Sequence, residues 1–337
     1  VPETERTTMP ELIDVMPGSP EWLAARRQGV TATDIVTILG LSAWDSVYSL
    51  FWRKLGQVPE VPDTDRFRLG CHLEPYIVER WRLEHVYGLN NIQPGILVRS
   101  SERAWQMATI DRWLVQDDCG LPLEVKSWAD ADKRSWGQGE VVDDDGPLVY
   151  DDQVPPAVRA QVLWQMDVMG VATGHVGVVF LPSGEFRSYT IEHSDCDAHG
   201  TGNSVDCRAC ADQYLMTEAG EAFMGRLRLE LPPPDPDASM ATLAAVRARF
   251  TRQPDKQADV DGTLHAAWSD AKDLVAHYEA KVRGYESELR EQAGEAQVLC
   301  VDGQPVARRI VSDAKVKAHT RHMDYLRRIT PKGDNDE

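Results

Sequence analysis

No run of about eighteen apolar residues, the length a helix needs to cross a bilayer, occurs in this sequence. The N-terminal stretch VPETERTTMPELIDVM also lacks the basic-then-apolar order of a secretion signal. Both absences argue against a membrane partner and for a chain that stays in the cytoplasm. Cysteine is sparse, with 6 in 337 residues, and thiols in that compartment stay mostly reduced, so a disulfide-stapled scaffold is excluded. Positive charge is short too: 36 Lys and Arg face 54 Asp and Glu, a formal net charge of -18. A surface that neutralises phosphates everywhere is thereby excluded. A local basic groove on an acidic body is not. Arg26, Arg27, Arg53, Lys54, Arg66 and Arg68 gather in the N-terminal third, either as such a groove or as solvated helix surface.

What is present suffices for a sizeable core, since 42% of the 337 residues are hydrophobic. Residues 1–18, ending in Pro17-Gly18, read as a flexible leader. Ser19 is a good N-cap and Pro20 suits a first turn, so a helix opens there and carries Arg26 and Arg27 to Gly29. Further helices are expected from Thr31 or Thr33 to about Leu39, over 46–55, and over 70–88 with Pro75 in the first turn. Glu74 then lies at the start of that last helix, facing the strands or simply favoured there by the macrodipole. Strands are expected over 96–99, 105–115 and 121–128, followed by a polar connection over 129–153 of the kind that borders a site. A helix over 155–169 carries Gln161 and Gln165 one turn apart, a hairpin spans 175–191, and a helix runs to about Leu227. Leu231-Pro-Pro-Pro-Asp-Pro-Asp reads as a stiff linker and a domain boundary. Beyond it, Leu264, Trp268, Ala271, Val275, Tyr278, Val282, Tyr285 and Leu289 recur in steps of four and three, the seam of a helix that pairs with another helix. A small hairpin around Asp302-Gly303 and a last helix to Arg328 complete the chain, giving segments 1–18, 19–230 and 231–337.

The chemistry gathers between Ala104 and Trp128. Asp111 falls on one expected strand, and Glu124 and Lys126 fall two apart on the next, so their side chains share a face while Val125 turns away. Two carboxylates and a backbone carbonyl, that of Val125, are the oxygen donors a hard cation such as Mg²⁺ prefers. Lys126 beside them suits a group that positions a hydroxide or neutralises charge at phosphorus. The pattern therefore points to metal-assisted phosphodiester hydrolysis, with a surface ion pair on a hairpin as the alternative.

Asp111, Glu124-Val125-Lys126 and Gln161 on the next helix resemble the core motif of the PD-(D/E)XK nuclease superfamily. Four further segments resemble its YqaJ-like viral recombinase, or lambda-type exonuclease, family: Trp22-Leu-Ala-Ala-Arg26 with Gly29-Val-Thr-Ala-Thr33, Gly70-Cys-His-Leu-Glu74-Pro75, Val154-Pro155-Pro156, and Ala160-Gln161-Val162. Thr33 stands where most members have serine, and Ile110 where the superfamily has its proline. The resemblance spans about residues 20–230. It implies a restriction-endonuclease-like α/β core, a mixed sheet flanked by helices, with a helical C-terminal appendage. It further implies a Mg²⁺-dependent deoxyribonuclease, with Mn²⁺ as a substitute, that resects linear double-stranded DNA 5′→3′ for phage-type homologous recombination. Asp111, Glu124, Lys126 and Gln161 would be catalytic, Glu74, Asp111, Glu124 and Val125 would hold metal, and Arg26, Thr33 and Thr109 would contact the 5′ phosphate. A helix glutamine such as Gln161 is as readily an exposed surface residue. A toroidal homo-oligomer, a single-strand annealing partner and the host cytoplasm, for a phage-encoded chain, follow from the same resemblance. A structure-specific or CRISPR-associated-type nuclease of the superfamily, or a non-catalytic DNA-binding module, are its alternatives.

Cys196-x2-His199 followed by Cys207-x2-Cys210 has the ligand types and close pair spacing of a structural zinc site. Free thiols, or an iron–sulfur cluster completed by a distant cysteine such as Cys71, use the same residues.

Overall fold

The computed structural model describes residues 10–60, 64–85, 91–116, 119–137, 141–143, 146–148, 153–192, 208–251 and 253–310. Its strands are β1 (Glu11–Ile13), β2 (Ile92–Arg99), β3 (Met107–Gln116), β4 (Cys119–Ala129), β5 (Val141–Asp143), β6 (Gly146–Leu148), β7 (Thr173–Leu181), β8 (Phe186–Glu192), β9 (Val298–Val301) and β10 (Gln304–Arg308). Its helices are α1 (Pro20–Arg27), α2 (Ala32–Ile38), α3 (Val47–Lys54), α4 (Asp65–Glu84), α5 (Pro156–Met169), α6 (Arg208–Arg228), α7 (Met240–Arg249) and α8 (Gly262–Ala293). Six strands form one sheet in the order β1-β2-β3-β4-β7-β8. Every neighbouring pair is antiparallel except β4 and β7, which run parallel with α5 in the crossover between them. The architecture is thus mixed α/β, a mixed sheet flanked by helices, as the sequence implies.

Alternation along the strands gives the sheet two apolar faces. One joins the main core, where Ile110, Val176 and Val178 meet Val162, Leu163, Trp164 and Met166 of α5, Ile35 of α2 and Phe223 of α6. The other, with Leu114, Leu123 and Val179, is covered by Ile77, Val78 and Trp81 of α4. Sandwiched between the sheet and the helices α2 and α6, α5 is buried over most of its surface. Trp164 Nε1 donates to the carbonyl of Met107 at 2.8 Å, which ties α5 to β3.

Several expectations are displaced. Within the leader, residues 11–13 pair with β2 as an edge strand. The fourth helix begins at Asp65 rather than residue 70, because Thr64 caps it by accepting from the Phe67 N–H at 3.1 Å. Pro75 and Glu74 accordingly sit inside α4 and not in its first turn. The connection over 129–153 contains a 3-10 turn, Asp130–Ser135, and the short hairpin β5–β6. The proline-rich stretch after Leu231 does not end the first compact unit, which runs to Thr251. Helix α7 docks on α3: Thr242 Oγ1 donates to Ser46 Oγ at 2.7 Å, and the Arg249 guanidinium lies 3.2 Å from the centre of the Trp52 ring. The second unit begins at Arg252 and holds α8 and the hairpin β9–β10, turned at Asp302-Gly303 as expected. The last helix expected from sequence lies outside the described residues. Among the described residues, no helix is long and apolar enough to cross a membrane.

Candidate active site

The antiparallel ladder of β3 and β4 runs from Gln116↔Cys119 to Arg112↔Leu123. At the next residue of β3 a side chain takes over: Asp111 Oδ2 accepts from the Val125 N–H at 3.0 Å. Glu124 beside it is wholly buried. A carboxylate removed from water needs its lone pairs filled, and three donors fill them. Oε1 accepts from Gln161 Nε2 at 2.5 Å and from the Lys126 ammonium, while Oε2 accepts from Gln165 Nε2 at 2.6 Å. Lys126 Nζ also donates to Gln161 Oε1 at 3.2 Å, and Gln165 Nε2 lies 3.3 Å from the carbonyl of Thr109. Two glutamines one helical turn apart project from the same side of α5, so docking that helix on β3 and β4 delivers both.

Burial first, and then the neighbouring Glu124 carboxylate, push Asp111 up to about 7, against the opposing pull of Lys126 and the Val125 N–H. Burial pulls the Lys126 ammonium down, but Glu124 and Asp111 outweigh it, and the group is raised above its ordinary value. Lys126 therefore remains a cation. Two crowded carboxylates and the Val125 backbone form a donor set whose excess negative charge a divalent cation would neutralise.

Glu74 is not part of that set in this conformation. Its carboxylate is taken by Arg112, whose guanidinium also donates to the Asp111 carbonyl at 2.6 Å. Among the described residues, no three Asp, Glu, His or Cys side chains converge as a ready-made metal cluster. Thr109 lies on β3 two residues before Asp111, and its hydroxyl oxygen is buried without a hydrogen-bond partner.

Arg26 and Thr33 flank the loop between α1 and α2. Gly29 is required there: a Cβ on it would lie 2.3 Å from the carbonyl of Trp105. The loop consequently hydrogen-bonds to the chain entering β3, Val30 N–H to Trp105 O at 2.7 Å and Met107 N–H to Val30 O at 2.9 Å. Thr31 is the N-cap of α2, in a capping box with Asp34, which leaves Thr33 exposed. The Arg26 guanidinium stacks on Trp22 at 4.3 Å and reaches Thr31 Oγ1 at 3.4 Å, so it is not joined to Thr33. Among the described residues, most of the remaining basic side chains of this region are paired with acids. Arg27 pairs with Glu60, Arg53 with Asp45, Lys54 with Asp34, and Arg68 with Asp65, while Arg66 lies over the Trp44 ring.

Sequence reasoning assigned no role to Gln165 or Arg112. The first could have been found from its position four residues after Gln161; the second carried no signal. Of the Cys/His cluster, Cys196, His199 and Cys207 lie outside the described residues, and Cys210 is half-buried on α6 against the main core.

Residues 21–175 match the model of the YqaJ-like viral recombinase domain. The protein YqaJ of Bacillus subtilis (strain 168), itself described as uncharacterized, is 25% identical over 151 residues, 44% of this chain and 42% of its own length. The chain thus spans 42% of the length of the curated relative it matches. An alkaline exonuclease, LHK-Exo, from Laribacter hongkongensis is similar in structure, 18% identical at a TM-score of 0.42 over 63% of this chain and 94% of that one. A phage related exonuclease from Haemophilus somnus 129PT is 11% identical at a TM-score of 0.40, over 60% of this chain and 96% of that one. Arg26, Thr33, Asp111, Glu124, Lys126, Gln161 and Gln165 all fall within the matched segment, so the candidate site lies in the part of the chain that is similar to YqaJ-like viral recombinase domains.

Proposed function

We propose that this chain is a metal-dependent deoxyribonuclease, an exonuclease that shortens linear double-stranded DNA in the 5′→3′ direction for phage-type homologous recombination. One observation carries the reading: Asp111, Glu124, Lys126 and Gln161 meet where β3 and β4 part, inside a YqaJ-like domain. Asp111, Glu124 and the Val125 carbonyl would hold Mg²⁺ or Mn²⁺, and Glu74 would join them only after leaving Arg112. When bound, such a cation supplies an acidified water and a Lewis acid at the phosphate.

The protein's own groups do the rest. Glu124 and Asp111 hold the Lys126 ammonium above its ordinary value, and it would serve as an electrostatic partner for charge building on the phosphate. Gln161 joins Lys126 to Glu124 through both ends of its amide, fixing the ammonium in direction as well as place. Gln165 anchors the far oxygen of Glu124 from within the core. Arg26, Thr33 and Thr109 are assigned to the 5′ end of the substrate. The unpartnered Thr109 hydroxyl and the Arg26 Nε, buried without a partner, leave hydrogen-bonding capacity for a phosphate.

Linear, nicked and closed-circular duplexes of one sequence, each incubated with Mg²⁺ or with EDTA, test the proposal. An exonuclease degrades only the linear form, and only with Mg²⁺. Label released first from the 5′ ends fixes the polarity. Cleavage of closed circles would make the chain an endonuclease, and no cleavage of any form would make it a binding module.

A further inference from the structure

The second unit carries an apolar surface that the nuclease reading leaves unused. Helix α8 is 32 residues long and has no buried residue. Leu264, Val275, Tyr278, Val282, Tyr285 and Leu289 are between 48% and 69% exposed, and they follow the seam spacing of a coiled coil. A shallow depression at mid-helix is lined by Leu274, Val275, Tyr278, Glu279, Val282 and Arg283. An apolar stripe this long on one helix marks an interaction surface.

The charges beside the stripe indicate what covers it. His265, Lys272, Glu279 and Glu286 lie seven residues apart on a single flank, cationic or imidazole groups in the N-terminal half and carboxylates in the C-terminal half. A second copy of the same helix, laid antiparallel and centred between Val275 and Tyr278, sets each half against its opposite. Lys272 then faces Glu279 of the second copy, Glu279 faces its Lys272, and His265 faces its Glu286. In the seam the same register pairs Val275 with Tyr278, Ala271 with Val282, Trp268 with Tyr285 and Leu264 with Leu289 across the two-fold axis, so that every seam residue meets an apolar or aromatic partner and the two central layers set a smaller side chain against a larger one. A parallel arrangement would place Lys272 against Ala267 and Glu279 against Leu274, leaving both charges unused. Each of the three seam aromatics can bury about 150 Å² or more, so four heptads approach the roughly 800 Å² per partner of a stable interface.

We propose that α8 is a self-association helix that pairs, antiparallel and in this register, with α8 of a second copy of the chain. The inference is independent of the catalytic reading.

Sedimentation of the full-length protein, with circular dichroism to confirm that the helix is retained, tests it through a charge swap. Wild type should self-associate at micromolar concentration. Lys272→Glu and Glu279→Lys should each weaken association by about tenfold, because each sets like charges against one another at two places. The double variant Lys272→Glu/Glu279→Lys should restore it. Mixing the two single variants should restore it as well, since one chain then offers only acids and the other only lysines. Tyr278→Glu should abolish it. A monomeric wild type would overturn the proposal, because the stripe is then covered by the chain's own remaining residues or by nothing. Association indifferent to the single reversals, or restored by neither the double variant nor the mixture, would overturn it too.

Discussion

Replacing Lys54 with methionine should destabilise the first unit severely. The Lys54 ammonium donates to Asp34 Oδ2 at 2.6 Å and to the carbonyls of Arg26 and Gly29 at 2.7 Å each. Its side chain is 5% exposed and that of Asp34 is 10% exposed. Methionine fills much of the same volume but strands a buried carboxylate and takes a donor from two carbonyls. Breaking a buried pair from one side costs about 3–5 kcal/mol. In a unit of this size, at about 2–4 °C per kcal/mol, the melting temperature should fall by on the order of 6–20 °C. Asp34→Asn added to Lys54→Met should recover a large part of the loss, because no charge is then stranded. Burial pushes the Asp34 carboxyl up, but Lys54 and Arg26 outweigh it and hold the group below 3.8. Burial also pulls Lys54 down, and Asp34 does not fully compensate. Every Lys54 proton has an acceptor within 2.7 Å, so the ammonium stays charged against Asp34. A depressed carboxyl stabilises the fold above its unfolded value and loses that contribution as the pH falls through the folded one. The stability gap between wild type and Asp34→Asn should therefore narrow below about pH 4. Urea denaturation followed by tryptophan fluorescence measures both effects, and a loss under about 1 kcal/mol in Lys54→Met, the scale of a surface pair, would refute the reasoning.

Gln165→Leu removes the donor to Glu124 Oε2 while keeping the volume, and cleavage should fall by about 10–100-fold; a wild-type rate would deny Gln165 any positioning role. Asp111→Asn keeps an acceptor for the Val125 N–H. Asp111 is raised to about 7 in the fold, and a raised carboxyl costs stability once it ionises. In EDTA the variant should therefore be the more stable chain above pH 7, with the gap closing as the pH falls towards 3.8. Mg²⁺ should then stabilise only the wild type; an equal thermal shift in both would remove Asp111 from the metal site. Arg26→Ala should slow digestion of 5′-phosphorylated duplex far more than of 5′-hydroxyl duplex, with lysine rescuing partly because it lacks the planar fork. Equal losses on both ends would make Arg26 a structural residue.

The strands of the candidate site were readable because strand chemistry is local. Alternation alone placed Glu124 and Lys126 on one face, although β4 begins at Cys119 rather than at residue 121. Helix starts were readable where the cap was a strong one, as at Ser19 and Ser46, and misread where a better cap lay upstream, as Thr64 did for α4. What the sequence concealed depends on contacts across long separations. The diversion of Glu74 to Arg112 needs α4 packed on the sheet, and the burial of Gln165 needs the docking of α5. The pairing of the N-terminal basic residues with acids likewise joins positions such as Arg27 and Glu60, which no local pattern relates. The proline-rich stretch misled for a similar reason: its stiffness was legible, but the fit of α7 against Tyr48 and Trp52 was not.

The bond pattern at Val30 gives the domain an internal ruler. Loops are usually where a fold tolerates insertion and drift. This one is held at both Trp105 and Met107, so it is clamped to the strand that bears Asp111. From Gln106, the bridge partner of Val30, to Asp111 is five residues of strand, or about 17 Å at the rise of an extended chain. The spacing between the α1–α2 loop and the carboxylate is thus measured along one strand and does not depend on how separate elements pack. Lengthening the stretch between Gln106 and Asp111 by a single residue would both alter that distance and turn Asp111 to the opposite face of the sheet. Insertions in the 129–153 connection would alter neither.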